Sequence, residues 1–265
     1  MGGWISGMGL FFSFILGTVV GSFLNVCIHR LPREKSIVSP SSHCPHCGTP
    51  IHVYDNIPLI SFILLRGKCR ACKGPISIRY PLVELLTGLF SLIFFFRYGI
   101  STLYLIYFIF FASLTVVSFV DLSHRIIPDV ISLPGILAGI AFSWLHPELS
   151  LKHSIIGVFL GGGTLYLVAS GYHLVTKREG MGGGDIKLLA MIGAFIGWKG
   201  VLFTILCSSF VGAVVGGVLI LISSEADSKY AVPFGPFLSL GAIMYILWGE
   251  TLINWYLGFL RGITG

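Results

Sequence analysis

The chain reads as an all-α polytopic membrane protein of about eight transmembrane helices, with a cytoplasmic four-cysteine zinc-knuckle loop after the first. Three observations predict this. Of 265 residues, 55% are hydrophobic and only 11% charged, with a mean hydropathy of +0.90, whereas a soluble domain carries about 25% charged residues. Apolar runs near the length of about 20 residues that a membrane helix needs recur along the chain. The formal net charge of +6 is concentrated in a single hydrophilic segment.

Taken in order, the apolar runs cover roughly 5–27, 81–97, 101–120, 130–145, 154–175, 186–197, 200–222 and 233–257. The first is not expected to be a cleavable signal, because no Lys or Arg precedes Arg30 and the basic cluster follows the apolar run. The sixth is short and ends on the turn signal Gly197-Trp198-Lys199-Gly200. Fused with the seventh it would make a helix of about 38 residues, or about 57 Å. A bilayer core is about 30 Å thick, so the two are kept apart. The expected organisation is a first membrane helix over 1–27, a hydrophilic loop over 28–80, and a membrane domain of about seven helices over 81–265.

The hydrophilic loop carries Arg30, Arg33, Lys35, Arg66, Lys68, Arg70, Lys73 and Arg79 against Glu34 and Asp55, which equals the whole chain's excess of +6. The positive-inside rule places it in the cytoplasm and the N-terminus outside. Counting spans, the segments near 121–129, 176–185 and 223–232 then share the cytoplasmic side. A basic surface beside a bilayer attracts anionic head groups, and nucleic-acid binding is the weaker use of this charge.

Four of the six cysteines lie in this loop, as Cys44-Pro-His-Cys47 and Cys69-Arg-Ala-Cys72. Each half reads Cys-x-x-Cys-x-x-Pro-Ile, ending at Pro50-Ile51 and Pro75-Ile76. Two such knuckles about twenty residues apart form the pattern of a four-thiolate tetrahedral zinc site. A disulfide pair is the alternative, but a cytoplasmic loop is a reducing place. With four protein ligands the site is closed to a catalytic water and reads as structural. His43 and His46 stand beside ligands and read as solvated knuckle residues, with substitution for a ligand as the alternative. Cys27 and Cys207 fall in apolar spans, where packing is the expected role.

Ionisable groups at a membrane span are expensive, and function is the default reading. Asp121 follows the apolar run Leu114–Val120 and opens Asp121-Leu-Ser-His-Arg-Ile-Ile-Pro128-Asp129; Asp185 closes Gly180-Met-Gly-Gly-Gly-Asp185. Both are expected at helix ends on the cytoplasmic side. Two carboxylates brought together share a proton, since like charges a few Å apart cannot both ionise. One then deprotonates water while the other hydrogen-bonds the scissile carbonyl. This pattern fits an aspartyl protease with Asp121 and Asp185 as the catalytic pair. Gly182 and Gly184 are expected to let a substrate backbone approach, and Lys187 to hold charge nearby or to snorkel. Asp129 is the rival of Asp121, its alternative role being a cap on the next helix. Glu84 reads as a helix-start acid. There is no P-loop ending after the glycines, no His-Glu-x-x-His and no Gly-x-Ser-x-Gly.

The motifs together resemble those of the type IV prepilin peptidases, the leader peptidase/N-methyltransferases. The resemblance runs from Gly21-Ser-Phe-Leu-Asn-Val-Cys-Ile-His-Arg-Leu-Pro32 through both knuckles, Asp55-Asn-Ile-Pro58 and Arg79-Tyr-Pro-Leu-Val-Glu84. It continues through Asp121 to Asp129, Gly180 to Leu189, and Pro233-Phe-Gly-Pro236. It implies a bacterial inner-membrane aspartic endopeptidase acting on prepilins or pseudopilins at the cytoplasmic face, with Asp121 and Asp185 as catalytic residues. It also implies methylation of the new N-terminus with S-adenosylmethionine, although no Rossmann-type glycine signature is present. Two other classes make different demands on the sequence. A transporter would show internal repeats and midplane carboxylates, and a membrane-anchored zinc adaptor would work through the loop alone.

Overall fold

The structure is a computed structural model that describes residues 7–177, 181–222 and 232–264. Gly180 and the greater part of the expected cytoplasmic segment 223–232 lie outside the described residues. Eight α-helices are present among them: α1 (Gly7–Arg30), α2 (Ile60–Leu64), α3 (Arg79–Tyr98), α4 (Thr102–His124), α5 (Asp129–Phe142), α6 (Leu151–Thr176), α7 (Gly183–Ile222) and α8 (Gly235–Thr264). Six of the helical segments are long and apolar enough to cross a membrane, and α5 is a shorter apolar helix. No strand occurs among the described residues, only the isolated bridges His43–Pro50 and Lys68–Pro75.

α7 shows why the sixth and seventh spans had to be separated. Its 40 residues are interrupted at Gly197, whose φ of 68° and ψ of −179° are not helical. Only glycine takes that conformation cheaply. The break therefore falls on the turn signal read from the sequence. Counting the two limbs of α7, the apolar helices follow the expected spans in order. The protein is an all-helical, multi-pass membrane protein.

The fold divides into two compact units, residues 1–116 and 117–265, with the boundary inside α4. In the first unit α1 packs on α3 through small residues. Ser13, Gly17 and Gly21 recur every fourth position and so share one helix face, which is buried. A Cβ on Gly17 would stand 2.6 Å from Ser91 Cβ, and one on Gly21 would stand 2.7 Å from Glu84 Cα. Such contacts replace the hydrophobic effect, which does not drive helices together in lipid. Ser91 Oγ adds a hydrogen bond to the Ser13 carbonyl at 2.7 Å. The opposite face of α1 exposes Phe11, Phe12, Leu16, Val19 and Phe23, as a lipid-facing surface should.

In the second unit the first limb of α7 is the most enclosed element. Leu188, Leu189, Met191, Ile192 and Ala194 have no exposed surface. α6 approaches it closely enough that a Cβ on Gly161 would stand 2.5 Å from the Leu189 carbonyl oxygen, and Ser154 Oγ donates to the Ala194 carbonyl at 2.7 Å. α5 covers another side, where a Cβ on Gly139 would lie 2.6 Å from Ala194 Cβ. This packing holds the start of α7, and with it Asp185, in a fixed place.

Candidate active site and metal centre

The two knuckles are built alike from local hydrogen bonds. In the first, Cys44 N–H donates to Thr49 O at 2.9 Å and Gly48 N–H to Cys44 O at 2.9 Å. In the second, Cys69 N–H donates to Gly74 O at 2.8 Å and Lys73 N–H to Cys69 O at 3.0 Å. The residue after the second cysteine takes positive φ in both, 71° at Gly48 and 60° at Lys73. The turns aim four sulfurs inward. The Sγ atoms of Cys44, Cys47, Cys69 and Cys72 all lie within 4.8 Å of one another, and Cys44 and Cys72 are 3.9 Å apart.

A zinc ion with Zn–S bonds of about 2.3 Å would place tetrahedral sulfurs about 3.8 Å apart, so the cluster fits a closed zinc site. All six cysteines are free of disulfides. Thr49, through its hydroxyl and then its backbone, pulls the Cys47 thiol down to about 6. That lowering favours the thiolate at Cys47, the form a metal requires, while at Cys72 the lowering by the Gly74 amide is outweighed by burial and the neighbouring sulfurs, which push that thiol up to about 11. His43 and His46 are not in the cluster. Cys207 Sγ sits 3.5 Å from Met244 Sδ, and Cys27 is buried in α1.

Arg70, inside the second knuckle, grips Asp55 with Nε and Nη2 at 2.6–3.0 Å. Its hydrogen bonds hold the Asp55 carboxyl below the usual carboxylate range. The clamp is therefore intact at neutral pH and loosens only as pH falls through that lowered value. Glu84 does not start α3, which begins five residues earlier at Arg79. Its role differs from that of a dipole-favoured helix-start acid. Buried at 8% exposure, it accepts a 2.8 Å hydrogen bond from the amide of Leu59, a residue at positive φ.

Asp121 lies one turn inside the end of α4 and is 6% exposed. The amide of Gly235 donates to its Oδ2 at 3.0 Å. A Cβ on Gly235 would stand 2.7 Å from that same oxygen. Asp185 is the third residue of α7, and the carboxyls of Asp121 and Asp185 are near enough for their charges to interact. Asp185 Oδ1 is buried without a hydrogen-bond partner. With a water and a scissile carbonyl between them, two such carboxyls can divide the roles of base and hydrogen-bond donor.

The remaining expected residues separate. Lys187 Nζ contacts both carboxylate oxygens of Asp129 at 2.8 Å, tying the start of α5 to the first turns of α7. Both side chains are largely exposed, and such pairs contribute about 0–1 kcal/mol. Asp129 is not the N-cap of α5. Pro128 holds that position, no side chain caps the helix, and Asp129 is a first-turn acid neutralised by Lys187.

Gly184 and Gly182 also differ. A Cβ on Gly184 would stand 2.8 Å from Ile127 Cβ, whereas one on Gly182 would come no nearer than 3.9 Å to Asp185 Oδ2. Gly184→Ala is expected to cost about 1–3 kcal/mol by overpacking and Gly182→Ala much less. Thermal melting of the two purified variants checks this.

Residues 15–98 match the family described as Bacterial Peptidase A24 N-terminal domain, and residues 108–217 match the Type IV leader peptidase family. The chain is 39% identical to the prepilin leader peptidase/N-methyltransferase of Aeromonas hydrophila, with 94% of each chain covered. It is 40% identical to that of Stutzerimonas stutzeri over 93% of each, and 38% identical to that of Pseudomonas aeruginosa over 92% of each. The chain belongs to the type IV leader peptidase family. No solved structure matches it.

In this leader peptidase, the motif Pro233-Phe-Gly-Pro236 carried no assigned role on sequence grounds. The fold gives it one, since Gly235 supplies the amide that anchors Asp121. With Asp121 in the catalytic pair that the sequence predicts, Gly235→Ala is expected to lower kcat for peptide cleavage about 10–100-fold with little change in KM, as misplacing a reacting group by about 1 Å does. Steady-state cleavage of a prepilin peptide measures it, and wild-type kcat would discount the tether.

Proposed function

We propose that this chain cleaves the leader from type IV prepilins or type II secretion pseudopilins, using Asp121 and Asp185, and then methylates the new N-terminus with S-adenosylmethionine. The observation that carries the cleavage reading is the carboxyl pair itself. One member is tethered by the Gly235 amide, and the other holds a buried oxygen with no partner. An ionised carboxylate of the pair takes a proton from water as the water oxygen attacks the scissile carbonyl carbon. The protonated partner hydrogen-bonds the carbonyl oxygen, where negative charge develops. The tetrahedral intermediate collapses as the C–N bond breaks and the leaving amine takes up a proton from the dyad.

Asp129 and Lys187 support the start of α7, and Gly182 leaves the approach to Asp185 open. Cys44, Cys47, Cys69 and Cys72 would hold a structural zinc ion, which supplies the cross-link that shapes the loop. The division into a first helix over 1–27, a zinc-binding loop over 28–80 and a peptidase domain over 81–265 belongs to this reading. So does a bacterial inner-membrane location, with the dyad and the loop facing the cytoplasm and no nucleic-acid partner.

Incubating the purified protein with a synthetic prepilin, with and without S-adenosylmethionine, tests both activities by mass. The expected product is a peptide shortened at its N-terminus in both reactions, with one methyl increment only when the methyl donor is present. An unshortened peptide would overturn the cleavage reading. A shortened product without the increment would overturn methylation.

A further inference from the structure

The first unit contains a cavity of about 590 Å³, lined by the end of α1, the start of α3 and the inner sides of both knuckles. That volume falls in the range of about 300–1,000 Å³ typical of small-molecule sites. Its polar wall is incompletely satisfied. Asn25 is 2% exposed, and its Nδ2 donates to the carbonyls of Gly21 and Tyr80 at 3.3 and 3.1 Å. Those two carbonyls set the orientation of the amide, so Oδ1 is an acceptor, and it is buried without a partner. Arg79, next in sequence to Tyr80, has a buried Nε donor that is likewise unpartnered. Both residues line the cavity. Burying such groups unpaired is costly, and a ligand of complementary pattern would recover that cost.

We propose that this cavity binds the methyl donor, a purine nucleoside bearing a sulfonium amino acid. The inference rests on the methyl-transfer reading above and assigns it a place. The α-ammonium group of the donor's amino-acid end suits Asn25 Oδ1, and the adjoining carboxylate suits Arg79. Glu84, which also lines the cavity, offers a carboxyl oxygen as an acceptor of the sulfonium's positive charge. His52 and Tyr54 also line the cavity and stack at 5.1 Å, with the Arg70 guanidinium over the Tyr54 ring, an aromatic cluster against which the base can pack.

In the transfer, the lone pair of the neutral N-terminal amine forms a bond to the methyl carbon. The methyl–sulfur bond breaks, its electron pair passes to sulfur, and a neutral thioether results. The methylated ammonium then gives one proton to water. Cys44 and Cys69 lie in the cavity wall, so the knuckles shape the site without touching the chemistry.

Binding tests the assignment without relying on turnover. Full-length protein in lipid nanodiscs is titrated with radiolabelled S-adenosylmethionine, then irradiated, digested and mapped by mass. Saturable binding with label in a peptide between residues 22 and 84 is expected. Saturable binding with the label confined to residues 117–265 would overturn the location and leave methyl transfer standing. Absence of saturable binding would overturn both.

Asn25→Ala and Arg79→Gln should each weaken binding about tenfold or more, the factor that loss of one such hydrogen bond represents. Zinc content serves as the check on folding. Variants that keep their zinc and bind as the wild type does would sink the proposal. Should either variant lose its zinc, the label map on the unmodified protein decides alone.

Discussion

Asparagine in place of either Asp121 or Asp185, the pair proposed to carry the chemistry, is expected to lower leader cleavage by about 10³-fold or more, while the variant proteins stay folded. The magnitude follows from the task of the pair, since general acid–base catalysis contributes about 10²–10⁴-fold. Neither carboxyl can cover for the other when one must accept a proton as its partner donates a hydrogen bond. In Asp121→Asn the new side-chain oxygen would still accept from the Gly235 amide, so the geometry described above survives the change. Replacing one of two interacting carboxyls also removes like-charge repulsion, and melting temperatures should hold or rise. The double variant should be no slower than the slower single one, because residues acting as a unit are not additive. Asp129→Asn provides the contrast. Its carboxylate is exposed and paired with Lys187, and at least about half of the activity should remain. More than about a tenth of wild-type cleavage by either dyad variant would remove the mechanism. Loss of activity in Asp129→Asn with Asp121→Asn intact would reassign it.

The second large effect is on the loop. Between residues 31 and 80 only Cys44 and Ser61 are buried. Val38 and Val53 are 86% and 89% exposed. A segment with so little enclosed apolar surface cannot offset the entropy of ordering its backbone. Structural zinc supplies on the order of 10 kcal/mol in comparable small sites. Cys44→Ser and Cys69→Ser should each reduce bound zinc from one per chain to less than about a tenth. Trypsin should then cut readily between Arg66 and Lys73. Retention of a full complement of zinc, or an unchanged digestion pattern in the zinc-free protein, would show that the loop holds its shape by other means.

Features governed by local chemistry were legible from the sequence. The spans were, because apolar runs bounded by turn residues leave few alternatives at bilayer length. So was the break in α7, because Gly197 carries its conformational freedom with it. The four-sulfur cluster follows from a repeat whose spacing is set by the turn that each knuckle makes.

What escaped depends on partners distant along the chain. No local pattern joins Gly235 to Asp121 or Arg70 to Asp55. The start of α3 at Arg79 placed Glu84 beyond the first turn, where it could reach the Leu59 amide. The glycines before Asp185 read as one open stretch, yet Ile127 fills the space at Gly184 and leaves it free at Gly182. For Lys187 the sequence leaves a charge near the pair and a snorkelling helix-end lysine both open; no local pattern names Asp129, 58 residues away, as its partner.

The hydrogen bond from Gly235 to Asp121 sets a mechanical condition on the chemistry. Its donor is the first residue of α8, and the stretch immediately before that helix follows the segment 223–231. Any displacement of the head of α8 that lengthened this contact would take the amide donor away from the Asp121 carboxyl. Lipid thickness or a substrate's apolar stem bearing on α8 would register as a change in turnover at a carboxyl that neither one touches.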